Sequence, residues 1–126
     1  WAFLENFASQ YKCFIASGTP EVELHPLVAQ RGLRKFFDEV HGAPTPKPEI
    51  LQGILRQHVL DPSEVLSIGD ALSDLEAAQT EGLPFVGRVR AGEAAIFPHG
   101  KTVALFHDFD ELEKGWNTIL AQIRRP

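Results

Sequence analysis

Two aspartates, Asp70 and Asp74, stand four positions apart at the end of a short apolar run. The run from Val65 to Ile68 predicts a buried strand, Gly69 predicts a turn, and the segment after Asp74 predicts a helix. An open α/β sheet binds its ligands at the carboxyl ends of its strands, where this turn would present both carboxylates. Carboxylate oxygens suit Mg²⁺, which proteins usually hold with one or two carboxylates and a substrate phosphate. The sequence therefore predicts a magnesium site at Asp70 and Asp74.

The same stretch also fits a purely structural role. Ser73 and Glu76 match the S-x-x-E pattern of a capping box, and an acid such as Asp74 in the first helical turn complements the helix dipole. A Gly-Asp pair after a strand is also ordinary turn chemistry. For this stretch alone, metal binding and helix capping both remain open.

A hydroxyl and a glycine follow an earlier apolar run. Residues 13–16 predict a short buried strand that enters a loop containing Ser17 and Gly18. Thr19 is expected to cap the next helix, with Pro20 at its first position. Ser17 and Gly18 would then offer a hydroxyl and backbone amides to an anion. The simpler explanation is that serine and glycine are common wherever a strand turns into a helix.

Lys47 lies at the predicted start of another helix. Pro44 and Pro46 stiffen the loop before it, and Pro48 suits the first helical turn. Lys47 would therefore stand at the mouth of the helix instead of along its side. A solvated surface charge remains the alternative for a lone lysine.

The composition is that of an ordinary soluble globular domain. The 126 residues suffice for one domain, with 44% hydrophobic and 23% charged residues. The 12 Lys and Arg against 17 Asp and Glu give a formal charge of −5, which argues against nucleic-acid binding. No stretch predicts a membrane span or a signal peptide. The single cysteine, Cys13, excludes an internal disulfide, and the expected location is cytoplasmic.

The chain contains no methionine and begins at Trp1. Because translation starts with methionine, we expect a chain that is processed, truncated or excerpted from a longer protein.

Predicted strands alternate with predicted helices. This order predicts an α/β fold, a three-layer Rossmann-like arrangement of a mostly parallel sheet with helices on both faces. Strands are predicted at 13–16, 39–42, 65–68, 85–89 and 102–106, and helices at 1–11, 20–32 with a kink or split at Pro26, 48–59, 74–82 and 111–123. The core face of the third helix is expected to comprise Ile50, Leu51, Ile54, Leu55 and Val59. Residues 90–101 predict a long turn with one helical piece.

The other chemistry-bearing residues form no recognised pattern. The chain has no G-x-G-x-x-G and no Walker loop, which argues against dinucleotide and NTP binding. The histidines lack the spacing of a zinc site, and they are His25, His41, His58, His99 and His107.

Ser17, Lys47 and the Gly69-Asp70-x-x-x-Asp74 segment follow one another in a fixed order, each at the end of a predicted strand or the start of a helix. This order resembles the second, third and fourth motifs of the haloacid dehalogenase superfamily, most of whose members are Mg²⁺-dependent phosphohydrolases. The resemblance covers about residues 3–89. The residues of the three motifs are similar to the family's as well. They are Ile15-Ala16-Ser17-Gly18-Thr19-Pro20, Lys47-Pro48-Glu49-Ile50-Leu51 and Ile68-Gly69-Asp70.

The resemblance implies hydrolysis of a small phosphate monoester through a covalent aspartyl-phosphate, which divides one hard reaction into two easier steps. Ser17 would donate a hydrogen bond to a phosphoryl oxygen, helped by the Gly18 amide, and Lys47 would neutralise charge on the phosphoryl group and the nucleophile. Asp70 would ligate Mg²⁺, and Asp74 would be a second ligand or would orient the first. Such positioning and electrostatic roles carry most of the catalysis in phosphoryl transfer.

The chain departs from the family pattern at its first motif. That motif, a strand ending in Asp-x-Asp, supplies the nucleophile and the general acid/base, but residues 1–16 contain no aspartate. The sole D-x-D, Asp108-Phe109-Asp110, leads into a predicted helix and is interpreted as turn and cap acids, with a circular permutation as the alternative. We therefore expect negligible turnover from the isolated chain.

The missing motif would also remove a central strand. In the family that strand lies between the strands predicted at 13–16 and 65–68, so their edges would lack partners. Another segment or chain should fill the gap, or the two strands should pair directly, and strand exchange in a homo-oligomer is worth testing. No cap domain fits between Ser17 and Lys47, so residues 1–126 are predicted to be a partial core domain with motifs two to four.

Two other functions remain open. A non-catalytic module would keep this fold in order to bind a partner or a phosphorylated ligand. A receiver-like domain also uses acids at strand ends, but it needs a phospho-acceptor aspartate on a central strand, and the sequence offers none.

Overall fold

A computed structural model describes residues 2–90, 92–98 and 100–123 of the chain. It contains two compact units, Trp1–Gly53 and Ile54–Pro126, and each is described by itself. The predicted α/β class is confirmed, because the described strands pair in parallel and helices connect most of them. None of the described helices combines the length and the apolar character needed to cross a membrane.

The first unit is built on a two-stranded parallel sheet of β1 (Phe14–Pro20) and β2 (Glu39–Ala43). The register of the pair shifts between Ala16 and Pro20, so β1 is irregular there. The predicted loop after Ala16 is therefore wrong in part, because the strand continues through the irregular stretch to Pro20. An irregularity of this kind re-aims side chains, and this one contains Ser17.

Helices α1 (Ala2–Gln10) and α2 (Glu21–Gln30) belong to the same unit. Helix α2 packs on both strands and buries Leu24 and Val28 against Val40 of β2. Full burial of an aliphatic side chain of this size contributes about 1.5–3 kcal/mol, so this small cluster anchors the helix to the sheet. The prediction of a helix near the start of the chain is confirmed, although Trp1 lies outside the described residues.

The ends of α2 differ from the prediction at one terminus and agree at the other. Pro20 occupies the N-cap position, so the predicted cap at Thr19 is wrong. Pro26 lies inside the helix without splitting it, so the predicted split is also wrong. The stop at Gly32 is confirmed: its φ is +67°, and the amides of Gly32 and Leu33 donate to carbonyls of the last turn, at 3.0 Å each.

Helix α3 (Lys47–Gln57) contains the point at which the two units divide. It begins at Lys47, one residue before the predicted helix, and buries Ile50 and Ile54. The prediction that Val59 belongs to the core face is wrong, since its side chain is 88% exposed. Val59 adopts a φ of 53°, because the chain turns into the left-handed region there to leave the helix.

The second unit contains a three-stranded parallel sheet in the order β3 (Ser67–Gly69), β4 (Phe85–Arg88) and β5 (Ala104–Phe106). Its register pairs the last residue of β3 with Gly87 of β4. Helix α4 (Leu72–Glu81) packs on β3 and β4 and ends at Gly82, whose φ is 76°. The predicted stop at Gly82 and the predicted edge strand β5 are both confirmed.

The end of the chain forms two short helices, α5 (Phe109–Lys114) and α6 (Trp116–Ile123), instead of the predicted single helix. The break lies at Gly115, whose amide closes α5 and whose carbonyl accepts from the first turn of α6. The prediction that Asp108 is a helix cap is confirmed, because its Oδ1 accepts from the Glu111 amide at 2.8 Å. Within residues 90–101, the described positions contain turns and no helix.

Two of the edge strands, one in each sheet, are β1 and β3. Within the described ranges, β1 is hydrogen-bonded only to β2, and β3 only to β4. Neither strand has a second strand as a neighbour within those ranges.

Candidate active site

The turn after β3 is shaped by Asp74. Helix α4 begins after Ala71, and the Asp74 Oδ2 accepts a hydrogen bond from the Ala71 amide at 3.1 Å. A Cβ placed on Gly69 would lie 2.5 Å from the same oxygen, so the carboxylate rests directly against the strand's last residue. The predicted capping box of Ser73 and Glu76 is wrong, because the helix begins earlier and Asp74 is its third residue. Only glycine at position 69 leaves room for this arrangement.

The second aspartate, Asp70, follows β3 directly at the carboxyl edge of the sheet. Its side chain is 46% exposed, and its Oδ2 lies 3.7 Å from an Arg90 guanidinium nitrogen. It lines an open pocket of about 250 Å³ in the second unit. An exposed carboxylate at this edge can reach a ligand without moving the backbone.

The donor set at this turn fits Mg²⁺. Asp70 and Asp74 offer hard oxygen ligands on either side of one tight turn, and Gly69 leaves the cradle that holds the second carboxylate. Among the described residues, no group of three or more His, Cys, Asp or Glu could hold a metal. Mg²⁺ does not need such a group, because it keeps several waters and takes substrate oxygens as ligands.

In the first unit, Ser17 and Gly18 lie in the irregular stretch of β1, and Lys47 begins α3 beside Gly18. Ser17 Oγ accepts from the Thr19 amide at 3.1 Å, which fixes the hydroxyl and leaves its hydrogen to donate. Lys47 runs beside Gly18, since a Cβ on that glycine would lie 3.9 Å from the Lys47 Cε. A hydroxyl donor and an ammonium group beside an exposed glycine can receive an oxyanion. The structure thus brings three predicted phosphate-binding residues together in one unit, and the two predicted metal ligands in the other.

Glu21, on the first turn of α2, supports the same loop and was not singled out from the sequence. Its carboxylate accepts from the Gly42 amide at 3.2 Å, and a Cβ on Gly42 would lie 2.3 Å from the Thr19 carbonyl.

His41 and Glu39 form a second pair that was not identified from the sequence. His41 Nε2 lies 2.7 Å from Oε1 of Glu39, two residues before it on β2. The alternation of a strand places Glu39 and His41 on one face, and that spacing is the signal that could have found the pair.

Cys13 is not a candidate nucleophile. Burial and the nearby Asp38 carboxylate raise the pKa of its thiol. Its backbone amide donates to Asp38 at 2.8 Å, so the two residues are held together. A raised pKa lowers the thiolate fraction, and the thiolate is the reactive form.

The turn that leads into β3 is held by Asp61. Its carboxylate accepts from the Ser63 amide at 3.0 Å and from the Ser63 hydroxyl at 2.8 Å. These two hydrogen bonds lower the pKa of the Asp61 carboxyl. The Glu64 side chain accepts in return from the Asp61 amide at 2.9 Å, which completes a capping box.

A family model described as haloacid dehalogenase-like hydrolase matches residues 2–88, more than half of the chain. The chain belongs to this family. The match contains the residues from Ser17 to Asp74, so the resemblance identified from the motifs is confirmed. No curated protein matches the chain.

Solved structures of haloacid dehalogenase-like proteins share the fold. A predicted phosphoglycolate phosphatase from Haemophilus somnus is 26% identical, with a TM-score of 0.77 over 90% of this chain and 53% of that one. A haloacid dehalogenase-like family hydrolase from Streptococcus pneumoniae is 18% identical, with a TM-score of 0.76 over 91% of this chain and 57% of that one. A 2-haloacid dehalogenase from Pseudomonas syringae is 22% identical, with a TM-score of 0.73 over 96% of this chain and 51% of that one. The chain thus spans a little more than half the length of these three proteins.

Proposed function

We propose that this chain is part of a Mg²⁺-dependent phosphohydrolase that cleaves a small phosphate monoester through an aspartyl-phosphate, in the cytoplasm. The observation that carries the proposal is the turn after β3, where Asp74 rests on Gly69 and Asp70 faces an open pocket. Asp74 also caps α4, so the feature that favours a ligand site is Asp70, which is exposed and lines the pocket. Membership of the haloacid dehalogenase-like hydrolases supports the reaction class.

The predicted residues would have two roles, phosphate binding in the first unit and metal binding in the second. Ser17 and the Gly18 amide would donate hydrogen bonds to phosphoryl oxygens, and Lys47 would balance their charge. Asp70 would hold the metal, and Asp74 would be a second ligand or would fix the turn that presents Asp70. Mg²⁺, when bound, would supply positive charge at the phosphoryl group. These are positioning and electrostatic roles, which dominate phosphoryl transfer.

We also propose that residues 1–126 form a partial core domain without a cap and do not turn over substrate alone. The sole Asp-x-Asp is engaged elsewhere, because Asp108 caps α5 through its carboxylate. The proposed mechanism therefore requires an aspartate nucleophile that is none of the predicted catalytic residues Ser17, Lys47, Asp70 and Asp74.

Magnesium binding tests the proposal directly. Mg²⁺ would be titrated calorimetrically into the 126-residue chain and into Asp70→Asn, with Asp110→Asn as the matched control on exposed α5. We expect Asp70→Asn to weaken binding by about tenfold or more, because the amide carries no charge for the cation, and Asp110→Asn to bind as the wild type does. Equal affinity in wild type and Asp70→Asn would refute the metal site.

A phosphatase assay on the same proteins tests the turnover proposal. With p-nitrophenyl phosphate we expect no Mg²⁺-dependent hydrolysis by the chain. Turnover that disappears in Asp70→Asn would show instead that the chain supplies its own nucleophile. The alternative of a non-catalytic module predicts that phosphate binds equally well with and without Mg²⁺. A calorimetric titration of inorganic phosphate under both conditions separates it from the phosphohydrolase.

A further inference from the structure

Two arginines flank one buried residue at the carboxyl edge of the three-stranded sheet. Arg88 ends β4, Val89 follows it, and Arg90 comes next. Both backbone groups of Val89 are bonded: its amide donates to the Phe106 carbonyl at 2.8 Å, and its carbonyl accepts from His107 Nδ1 at 2.8 Å. The point from which both arginines project is therefore fixed to β5 and to the residue after it.

Arg88 and Arg90 both line one pocket. Residues two apart on extended chain point the same way, and Arg88 and Arg90 both line the pocket of about 250 Å³ that also contains Asp70. The far end of this loop is anchored by Phe97, which is buried and lies edge-on to Phe85 with ring centroids 5.4 Å apart. The pocket is thus built between two anchored points of the loop.

The charges in the pocket are balanced in a way that a bound metal would change. Arg90 pairs with Asp70 at 3.7 Å, while the half-buried Arg88 has no ion-pair partner among the residues that the structure describes. Glu93 is the other acid in the lining. A cation on Asp70 would occupy the carboxylate that now attracts Arg90, so neither arginine of the pocket would then pair with Asp70.

From this placement we propose that Arg88 and Arg90 form a subsite for an anionic oxygen group on the leaving-group part of the substrate. Arginine presents donors in a planar fork that matches the oxygens of a carboxylate or a phosphate, and Ile96 adds an apolar wall. The inference rests on the proposed phosphohydrolase, and it narrows the substrate to a phosphate monoester with a second anion.

Probe binding tests the subsite without catalysis. Malonate, as the carboxylate probe, and inorganic phosphate would each be titrated into the chain in salt-containing buffer without Mg²⁺, and the arginine side-chain Nε–H resonances would be followed by NMR. We expect saturable shifts at Arg88 and Arg90. A larger response to malonate assigns a carboxylate, and a larger response to phosphate assigns a phosphate group. Absence of saturable shifts with both probes overturns the proposal.

Matched variants separate the subsite from general charge attraction. Arg88→Gln and Arg90→Gln should each weaken probe binding by about tenfold, because a charged fork becomes neutral. Arg56→Gln, on the exposed surface of α3, removes the same charge. It should change binding less than twofold, because Arg56 does not line the pocket and an exposed charge acts only weakly. An equal loss in Arg56→Gln would show that the probes bind to net charge alone.

Asp70→Asn gives a result that misfolding cannot imitate. It removes the charge that holds Arg90, so probe affinity should rise severalfold although Mg²⁺ affinity falls. A chain that binds malonate but no Mg²⁺ would contradict the proposed metal site and leave the arginine subsite standing. A fall in probe affinity in Asp70→Asn, with the amide spectrum still dispersed, would overturn the subsite.

Discussion

Asp74 holds the loop that presents Asp70 through its hydrogen bond to the Ala71 amide and its contact with Gly69. The sequence predicted both aspartates because their spacing after an apolar run is informative. It did not predict which residue begins the helix, since Ser73 and Glu76 fit a cap equally well on propensity alone. The start of α4 goes with the contact between the Asp74 carboxylate and Gly69. That contact depends on the distance between the two residues in the folded chain, which the sequence does not give.

Replacing Gly69 by alanine should displace the Asp74 side chain. The added methyl group would overlap its carboxylate, and overpacking of this kind costs about 1–3 kcal/mol in the free energy of unfolding. We expect a lower urea midpoint and a weaker Mg²⁺ affinity in Gly69→Ala, because the turn would lose its shape. Asp74→Asn is the comparison, because its amide oxygen can keep the bond to Ala71 while the charge is lost. Unchanged Mg²⁺ binding in Gly69→Ala would contradict the role given to the clearance.

At the scale of the elements, hydrophobic spacing located the helices and strands, while glycines and packing decided where they end. The stops at Gly32 and Gly82 could be predicted, because glycine favours the left-handed conformation at those ends. The break at Gly115 could not, because the apolar spacing from Leu112 to Ile119 continues on both sides of it. Nor could the continuation of β1 past Ala16, which depends on pairing with β2.

Two glycines give opposite predictions for the same substitution. At Gly42 an added Cβ would meet the Thr19 carbonyl at 2.3 Å, so Gly42→Ala should destabilise the chain by about 1–3 kcal/mol. At Gly53, inside α3, an added Cβ meets nothing within 4 Å, so Gly53→Ala should stabilise it by about 0.5–1 kcal/mol. Urea unfolding of both variants checks this. A shift of the same sign in both would show that helix propensity and clearance do not govern these sites.

For the whole molecule, the sequence predicted the class of the fold but not the number of sheets. The expected parallel strands are present, yet they form one sheet of two strands and one of three within the described ranges. The expectation that two strands would lack a neighbour came from the absent first motif. Only the pairing pattern could show which edges of β1 and β3 remain unpaired.

Unpaired strand edges should make the chain associate with itself. We expect sedimentation velocity to show a dimer whose fraction increases with protein concentration from the micromolar to the millimolar range, since exposed strand edges pair readily. Ile68, in β3, is 41% exposed, and Ile68→Lys should reduce association because charge on an edge strand opposes pairing. Val22→Lys makes a similar change on α2, where the side chain is 84% exposed, and should leave association unaltered. A monomer at every concentration would rule out strand exchange.

The bond between His107 and the Val89 carbonyl makes one histidine an internal spectroscopic reporter. A carbonyl can only accept, so the ring must carry its hydrogen on Nδ1 while the bond is intact. In the neutral ring Nε2 then has a lone pair, and the two nitrogens should give widely separated ¹⁵N signals. If Val89, between the two arginines, moved away from His107, the hydrogen bond would break and the tautomer would no longer be fixed. The ¹⁵N spectrum of His107 therefore reports whether the carboxyl edge of the sheet is intact.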